Sequence, residues 1–273
     1  TLIQHPSGHN TVIDISNGSD VVSFFENSSG NHRQKNYPVN PIQYLKDSGV
    51  DTIFRFILTH PDMDHMDGIK SLFDSFSVLN FWDTQNTKVL NLLAGSKGAY
   101  YNETEDGKSG ADGLYILAPT RDLVDEANAT EEYNDCSYVI LYIVNGKKII
   151  FAGDSAEKTW DYILENHKDD VTDIDVLIAP HHGRKTGGNS DYLDVLNPKL
   201  TLFGNAKSQY LDYNAWYRRG LDHITNNQAN CIILNADSKY GIAVYVTYEA
   251  FAKERNSNSF YNTKYKAWYV MTI

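Results

Sequence analysis

Residues 58–68 read LTHPDMDHMDG, and this stretch decides the fold that the sequence predicts. A run of β-branched and aromatic residues, 53–58, leads into it, and apolar residues recur at helical spacing over 68–76. The sequence therefore predicts a buried strand that ends in a polar turn, which carries two histidines and at least two carboxylates, followed by a helix.

His60, Asp62, Asp64 and His65 fall within six residues of this turn. Imidazole nitrogen and carboxylate oxygen are the ligands that divalent ions such as zinc or manganese accept. Because alternate residues diverge on a tight loop, His60 and Asp62 can serve one ion while Asp64 and His65 face another. The spacing indicates a pair of divalent metal ions (Zn or Mn). An acidic surface turn that happens to hold two histidines is the alternative.

The stretch resembles the metal-binding signature of the metallo-β-lactamase superfamily, His-x-His-x-Asp-His before a glycine-containing turn, with Asp62 in place of the second histidine. The variant HPDMDHMDG is similar to the hydrolase domain of ComEC-type competence proteins. The segments LIxxPSGxxxxIDxxxG (2–18) and LYILAPT (114–120) resemble the same family. The resemblance implies an α/β protein, an αββα sandwich with two mixed sheets flanked by helices. Without a repeat or a proline-rich linker, we expect residues 1–273 to form a single domain.

Two later segments complete the metal site that the resemblance implies. Asp154 follows a predicted strand (147–151), and in the superfamily this aspartate bridges the two metals. An aspartate that caps the helix predicted over 157–164 is the alternative. His181 and His182 follow another predicted strand (176–179), and His182 is the one assigned to the second metal. The other histidine, His181, is then a supporting residue or an acid near the leaving group. Which of the two histidines is the ligand stays open.

One ligand of the superfamily is missing from this chain. Most members offer a histidine near residues 134–137, but the sequence here reads NDCS, as in the ComEC-type branch. Asn134 or Asp135 can fill the position, directly or through water. Asp14, at the end of the opening hairpin, is implied to support the metal loop, with a plain strand-end carboxylate as the alternative.

Together these residues predict hydrolysis. Two ions can lower the pKa of a shared water towards ~7, hold it as hydroxide, and neutralise charge that develops on a substrate oxygen. Asp64, which can orient that water, and His181 are the candidate catalytic residues. The resemblance implies a phosphodiesterase or nuclease acting on DNA or another nucleotide. The alternatives are hydrolysis of a small substrate, such as a phosphocholine ester, a lactone or a lactam, and a degenerate module that only binds. The predicted metal ligands are His60, Asp62, Asp64, His65, Asp154 and His182.

The amino-acid composition limits the classes of molecule that this chain can bind. The net charge of −11 disfavours tight binding to a DNA duplex and leaves single strands, short oligonucleotides or cyclic nucleotides. The basic pairs 184–185 and 218–219 are typical of solvated surface. No apolar run is long enough to span a membrane, no signal peptide is recognisable, and the two cysteines exclude a disulfide framework. We expect a cytoplasmic protein, and nothing indicates a protein partner.

The rest of the chain is predicted more coarsely. The expected elements are a hairpin over 1–15, a strand over 21–25, a helix over 41–49 capped by Asn40, a glycine-rich loop over 95–113, a helix over 214–225, strands over 231–235 and 241–247 that close the second sheet, and a strand pair over 260–273. His5 and His9 are expected on the surface, as is His223 on the helix.

Overall fold

The computed structural model of this chain describes residues 1–16, 39–85, 111–185, 188–206, 208–237 and 239–273. These residues fall into two compact units. The first contains the described residues up to 140 together with 153–159, and the second contains 141–152 and the described residues from 160 onward. The predicted strand 21–25 and residues 95–110 of the predicted loop lie outside the described residues. Within the described residues, no helix has the length and hydropathy needed to cross a membrane.

The described part of the first unit contains a mixed four-stranded sheet in the order β1-β2-β3-β4. The pair β1-β2 is antiparallel, whereas β2, β3 and β4 run parallel. The elements are β1 (Leu2–Gln4), β2 (Asn10–Ile13), α1 (Pro41–Asp47), β3 (Thr52–Ile57), α2 (Met63–Met66), α3 (Ile69–Ser75), β4 (Ser77–Trp82), β5 (Leu114–Ala118) and α4 (Arg121–Thr130).

Local sequence explains how β3 is held in place. The Asn40 side chain accepts hydrogen bonds from the backbone N–H groups of Ile42 and Gln43 at 2.9 and 3.2 Å, which starts α1. Phe56 on β3 and Leu72 on α3 belong to one buried cluster. Full burial of such a side chain contributes about 1.5–3 kcal/mol. The end of β3 is therefore anchored by a packed core.

The second unit begins within β6, at residue 141, contains α5 from residue 160 onward, and is built on parallel strands. Strands β7, β8, β9 and β10 pair in parallel. Asn145 and Gly146, both with positive φ, form the two-residue turn between β6 and β7, as a β-hairpin requires. The elements are β6 (Val139–Val144), β7 (Lys147–Phe151), α5 (Glu157–Asn166), α6 (Lys168–Val171), β8 (Val176–Ile178), α7 (Tyr192–Leu196), β9 (Leu200–Phe203), α8 (Tyr213–Tyr217), β10 (His223–Thr225), α9 (Asn226–Ala229), β11 (Ile232–Asp237), β12 (Gly241–Val246), α10 (Glu249–Arg255), β13 (Tyr261–Asn262) and β14 (Ala267–Thr272).

The α/β class, with mixed sheets flanked by helices, is confirmed. The opening hairpin, the helix after Asn40 and the strand pair of the tail are confirmed as well. The strands near 232 and 241 do not close the second sheet. They form an antiparallel sheet with the tail, in the order β11-β12-β14-β13. The single-domain organisation stays a prediction.

Three other expectations are wrong. The helix expected over 214–225 ends at Tyr217, and His223 lies on β10, half-buried, with its ring stacked on Phe203 at 5.0 Å. Gly220 has a φ of 68°, which breaks the helix, and pairing with β9 makes the following residues a strand. His5 is buried, not exposed, and its Nε2 lies 2.9 Å from the hydroxyl of buried Thr11.

Candidate metal centre

The turn after β3 brings its two histidines into the interior of the first unit. His60 is fully buried and His65, on the short helix α2, is nearly so. Their ring centroids are 4.2 Å apart. Asp62, at the start of α2, is partly exposed, and Asp64 is exposed. The turn therefore presents two buried imidazoles beside two carboxylates that solvent can reach.

Asp154 places one carboxylate oxygen near each of these imidazoles. Its Oδ1 lies 3.1 Å from Nε2 of His65, and its Oδ2 lies 3.9 Å from Nε2 of His60. Asp62 adds a second carboxylate oxygen, 3.6 Å from the same atom of His60. One ligand atom from each of Asp64, His65 and Asp154 lies within 4.8 Å of the others. The two oxygens of Asp154 are thus directed at two different imidazoles, and its role as a bridging ligand stays a prediction.

The Nε2 atom of His60 is buried and makes no hydrogen bond within the described part of the chain. The opposite ring nitrogen, Nδ1, lies 3.1 Å from the hydroxyl of Thr59. Buried polar atoms almost always have a partner, and the carboxylate oxygens around this nitrogen are too distant to be hydrogen-bonded to it. An imidazole nitrogen that faces two carboxylates is a donor set that fits a divalent metal ion.

Asp14 holds His65 from the other side of the ring. Its Oδ2 lies 2.7 Å from Nδ1 of His65, while its two oxygens accept hydrogen bonds from the backbone N–H and the hydroxyl of Thr59 at 2.7 and 2.8 Å. Burial acts to lower the pKa of His65, but the charge and hydrogen bond of Asp14, together with Asp154, raise that pKa to about 11. Burial acts to raise the pKa of Asp14, but the charge and hydrogen bond of His65 and the Thr59 amide lower it. Asp14 therefore fixes the orientation of the His65 ring and contacts the loop that it is predicted to support.

Ser137 holds the Gly153-Asp154 turn in place. Its hydroxyl accepts a hydrogen bond from the backbone N–H of Asp154 at 3.1 Å. Gly153 has a φ of 53°, and a Cβ atom there would lie 2.9 Å from Cβ of Ser137 and 3.0 Å from Cβ of Thr59. Only glycine fits at this point, since both the conformation and the close approach exclude a side chain.

Asp135 has a structural role that the sequence did not reveal. Its Oδ1 accepts hydrogen bonds from the backbone N–H groups of Ala156 and Thr159, at 3.2 and 3.1 Å, and from the Thr159 hydroxyl at 2.9 Å. This oxygen therefore caps the start of α5, the task considered as the alternative for Asp154. Because these contacts join residues 21 and 24 positions apart, no local pattern could have predicted them.

His181 and His182 belong to the second unit, in a short turn after β8. Both have positive φ, 49° and 59°, which is a sparsely populated conformation for residues with a side chain. A Cβ atom added to Gly204 would lie 2.7 Å from Nδ1 of His182, so this glycine makes room for the imidazole. Two assignments stay predictions: His182 as a metal ligand and His181 as an acid.

No protein-family model and no curated protein matches this sequence. Solved structures that are similar to it include the following two. One is a protein named as a metal-dependent hydrolase from Parabacteroides distasonis, 17% identical over 65% of this chain and 78% of that chain, with a TM-score of 0.41. The other is the metallo-β-lactamase fold protein YhfI from Bacillus subtilis, 13% identical over 80% of this chain and 83% of that chain, with a TM-score of 0.44.

Proposed function

We propose that this chain is a metal-dependent hydrolase of the metallo-β-lactamase superfamily that cleaves phosphodiester bonds in DNA or another nucleotide. The observation that carries the proposal is the position of Asp154. Its two oxygens face the Nε2 atoms of two different buried histidines, at 3.1 Å from His65 and 3.9 Å from His60. Packing alone gives no reason to bury two imidazoles and a carboxylate in this way.

The residues divide into two groups around Asp154. His60, Asp62 and Asp154 would hold one ion, while Asp64, His65 and Asp154 would hold the other. By the family resemblance, His182 would add a ligand to the second ion. Two divalent ions (Zn or Mn) in this position would lower the pKa of a water molecule and neutralise charge that develops on the substrate oxygen.

The other side chains orient groups or move protons. Asp14 fixes the ring of His65, because it occupies Nδ1 and leaves Nε2 directed towards Asp154. Asp64 is exposed, so its carboxylate can orient the attacking water and accept its proton. His181 donates a proton to the leaving oxygen.

The choice of a phosphodiester rests on the motif HPDMDHMDG and its resemblance to the hydrolase domain of ComEC-type proteins. The net charge of −11 supports single strands, short oligonucleotides or cyclic nucleotides over a duplex, since a duplex needs clustered cations along its phosphates.

The test compares hydrolysis of labelled single- and double-stranded DNA with added manganese, magnesium or zinc. Asp64→Ala is expected to lower the rate by roughly 10²- to 10⁴-fold, the usual contribution of a group that transfers a proton. Asp67→Ala is the matched control, because Asp67 is exposed at the end of the same turn. It should retain the wild-type rate.

Two results would contradict the proposal at different levels. A chain that binds metal but cuts neither DNA form nor a cyclic nucleotide is not the proposed phosphodiesterase, and esters, lactones and lactams become the substrates to examine. A chain that binds no divalent metal is not a metal-dependent hydrolase.

A further inference from the structure

The second unit contains a cleft of about 580 Å³ beside the His181-His182 turn. A cleft of this size is within the range of small-molecule sites. Its lining combines two cations with an aromatic ring and hydrogen-bonding groups: His181, Arg184, Lys185, Gln209, Tyr210 and Asp212. The basic pair 184–185, which the sequence predicts to be plain surface, thus lines a cleft.

The two walls of the cleft are joined by the backbone. The N–H of Lys185 donates to the carbonyl of Tyr210 at 3.1 Å, and the N–H of Asp212 donates to the carbonyl of Gly183 at 2.9 Å. Between them, Arg184 and Leu211 form an antiparallel bridge. These bonds hold the backbone of the two segments together. The cleft is therefore preformed, and ligand binding costs little backbone entropy.

The cations in this cleft are available to a ligand. Within the residues that the structure describes, the side chains of Arg184 and Lys185 form no ion pair or hydrogen bond, even though Asp212 lines the same cleft. The Nε atom of Arg184 is buried and lacks a hydrogen-bond partner there. A buried guanidinium N–H normally has an acceptor, and the planar fork of arginine matches a phosphate.

Tyr210 offers an aromatic surface beside these cations. Half of its surface is exposed at the cleft, although tyrosine usually buries its ring. An exposed ring beside two cations can stack on a base whose phosphate the cations hold. Gln209 and Asp212 add groups that can form hydrogen bonds with a sugar or a base edge.

We propose that this cleft binds one nucleotide unit of a single-stranded substrate, with Arg184 and Lys185 on the phosphate and Tyr210 stacked on the base. The inference rests on the proposed function and narrows its substrate. A chain with a net charge of −11 repels phosphate over most of its surface, so local cations decide where phosphate binds. Neutral lactones, lactams and simple esters would make no use of this cleft.

The experiment titrates the full chain, as purified and after EDTA treatment, with 5′-dAMP and with inorganic phosphate in a calorimeter. In the double variant Arg184→Gln and Lys185→Gln, the affinity for dAMP is expected to fall roughly 10-fold or more, since hydrogen bonds to charged groups are lost. Tyr210→Ala should weaken the affinity for dAMP by roughly 10-fold and leave the affinity for phosphate unchanged, because only dAMP has a base that stacks on the ring. The control removes two exposed lysines of the C-terminal sheet, Lys239→Gln and Lys264→Gln, and should bind like the wild type.

The outcomes separate this inference from the proposed function, because binding of dAMP requires no turnover. Equal dAMP affinity in the wild type, the double variant and Tyr210→Ala overturns the nucleotide subsite even if DNA is cleaved. A second result also overturns the subsite: the double variant loses phosphate binding, but Tyr210→Ala does not change the affinity for dAMP. The cleft is then only an anion site. Loss of dAMP affinity in folded variants of a chain that cuts no DNA supports the subsite and refutes the nuclease. Circular dichroism of each variant confirms that it is folded.

Discussion

A methyl group added at Gly204 is expected to push His182 out of its position. A Cβ atom at Gly204 would lie 2.7 Å from Nδ1 of His182, whereas ordinary contacts begin at 3.4 Å. The imidazole must therefore retreat by about 0.7 Å, the difference between these distances. Zinc–nitrogen bonds are about 2.0–2.1 Å long and tolerate changes of about 0.2 Å. If His182 is a metal ligand, Gly204→Ala should weaken metal binding by about 10- to 100-fold or more.

The assay is the metal content of each chain after dialysis, together with the metal affinity measured by competition with a coloured chelator. Gly220→Ala is the control. Gly220 has a φ of 68° and open space around it, so alanine there strains the backbone by about 1–2 kcal/mol without contacting His182. This control should bind metal like the wild type. A folded Gly204→Ala variant that keeps the wild-type metal affinity would refute the reasoning and remove His182 from the ligands.

Three further predictions concern the first unit. The pKa of His65 is raised from 6.5 to about 11, so its contribution to the stability of the metal-free chain is complete below pH 6.5 and is lost as the pH rises towards 11. In urea unfolding from pH 6 to 10, Asp14→Asn should remove most of this pH dependence, and an unchanged slope would contradict the assignment. Gly153→Ala should lower the free energy of unfolding by about 2–4 kcal/mol, because it combines a positive φ with a 2.9 Å approach to Ser137; a loss below about 1 kcal/mol would show that the turn adapts. Asp135→Ala should cost about 1–2 kcal/mol through the lost helix cap while the metal content stays that of the wild type, and a fall in metal content would restore Asp135 as a ligand.

The elements that the sequence predicts correctly are those with local signals. Asn40 and Pro41 mark the start of α1, because a cap acts on N–H groups only two and three residues away. The alternation of apolar and polar residues in the opening hairpin is equally local. The region after Tyr217 was mispredicted because its conformation depends on pairing between β10 and β9, which are distant in sequence. The residues of a strand that forms through such pairing show only a weak strand pattern in their own sequence.

The same distinction applies to the candidate metal centre. The histidines of the turn were recognisable because His60 and His65 lie in one short stretch at a strand end. Their proximity to Asp154 was inferred from a family resemblance, and in the structure Asp154 lies close to both. The supporting contacts of Ser137 and Asp135 were missed, since each joins segments 17 or more residues apart without a motif. Candidate ligands can thus be recognised where a motif collects them, while the residues that hold them in place depend on tertiary packing.

The packing around Ser137 leaves no room for a larger side chain at that position. Ser137 is fully buried, and its Cβ lies so close to Gly153 that even a methyl group at Gly153 would approach it to 2.9 Å. A histidine at position 137 would have to displace the Gly153-Asp154 turn, and so the carboxylate that faces both imidazoles. The chain therefore uses this position to hold the Asp154 backbone through the Ser137 hydroxyl. If His60 and Asp62 bind an ion as proposed, its remaining coordination positions are left to water and substrate, which is the open arrangement that distinguishes a catalytic metal from a structural one.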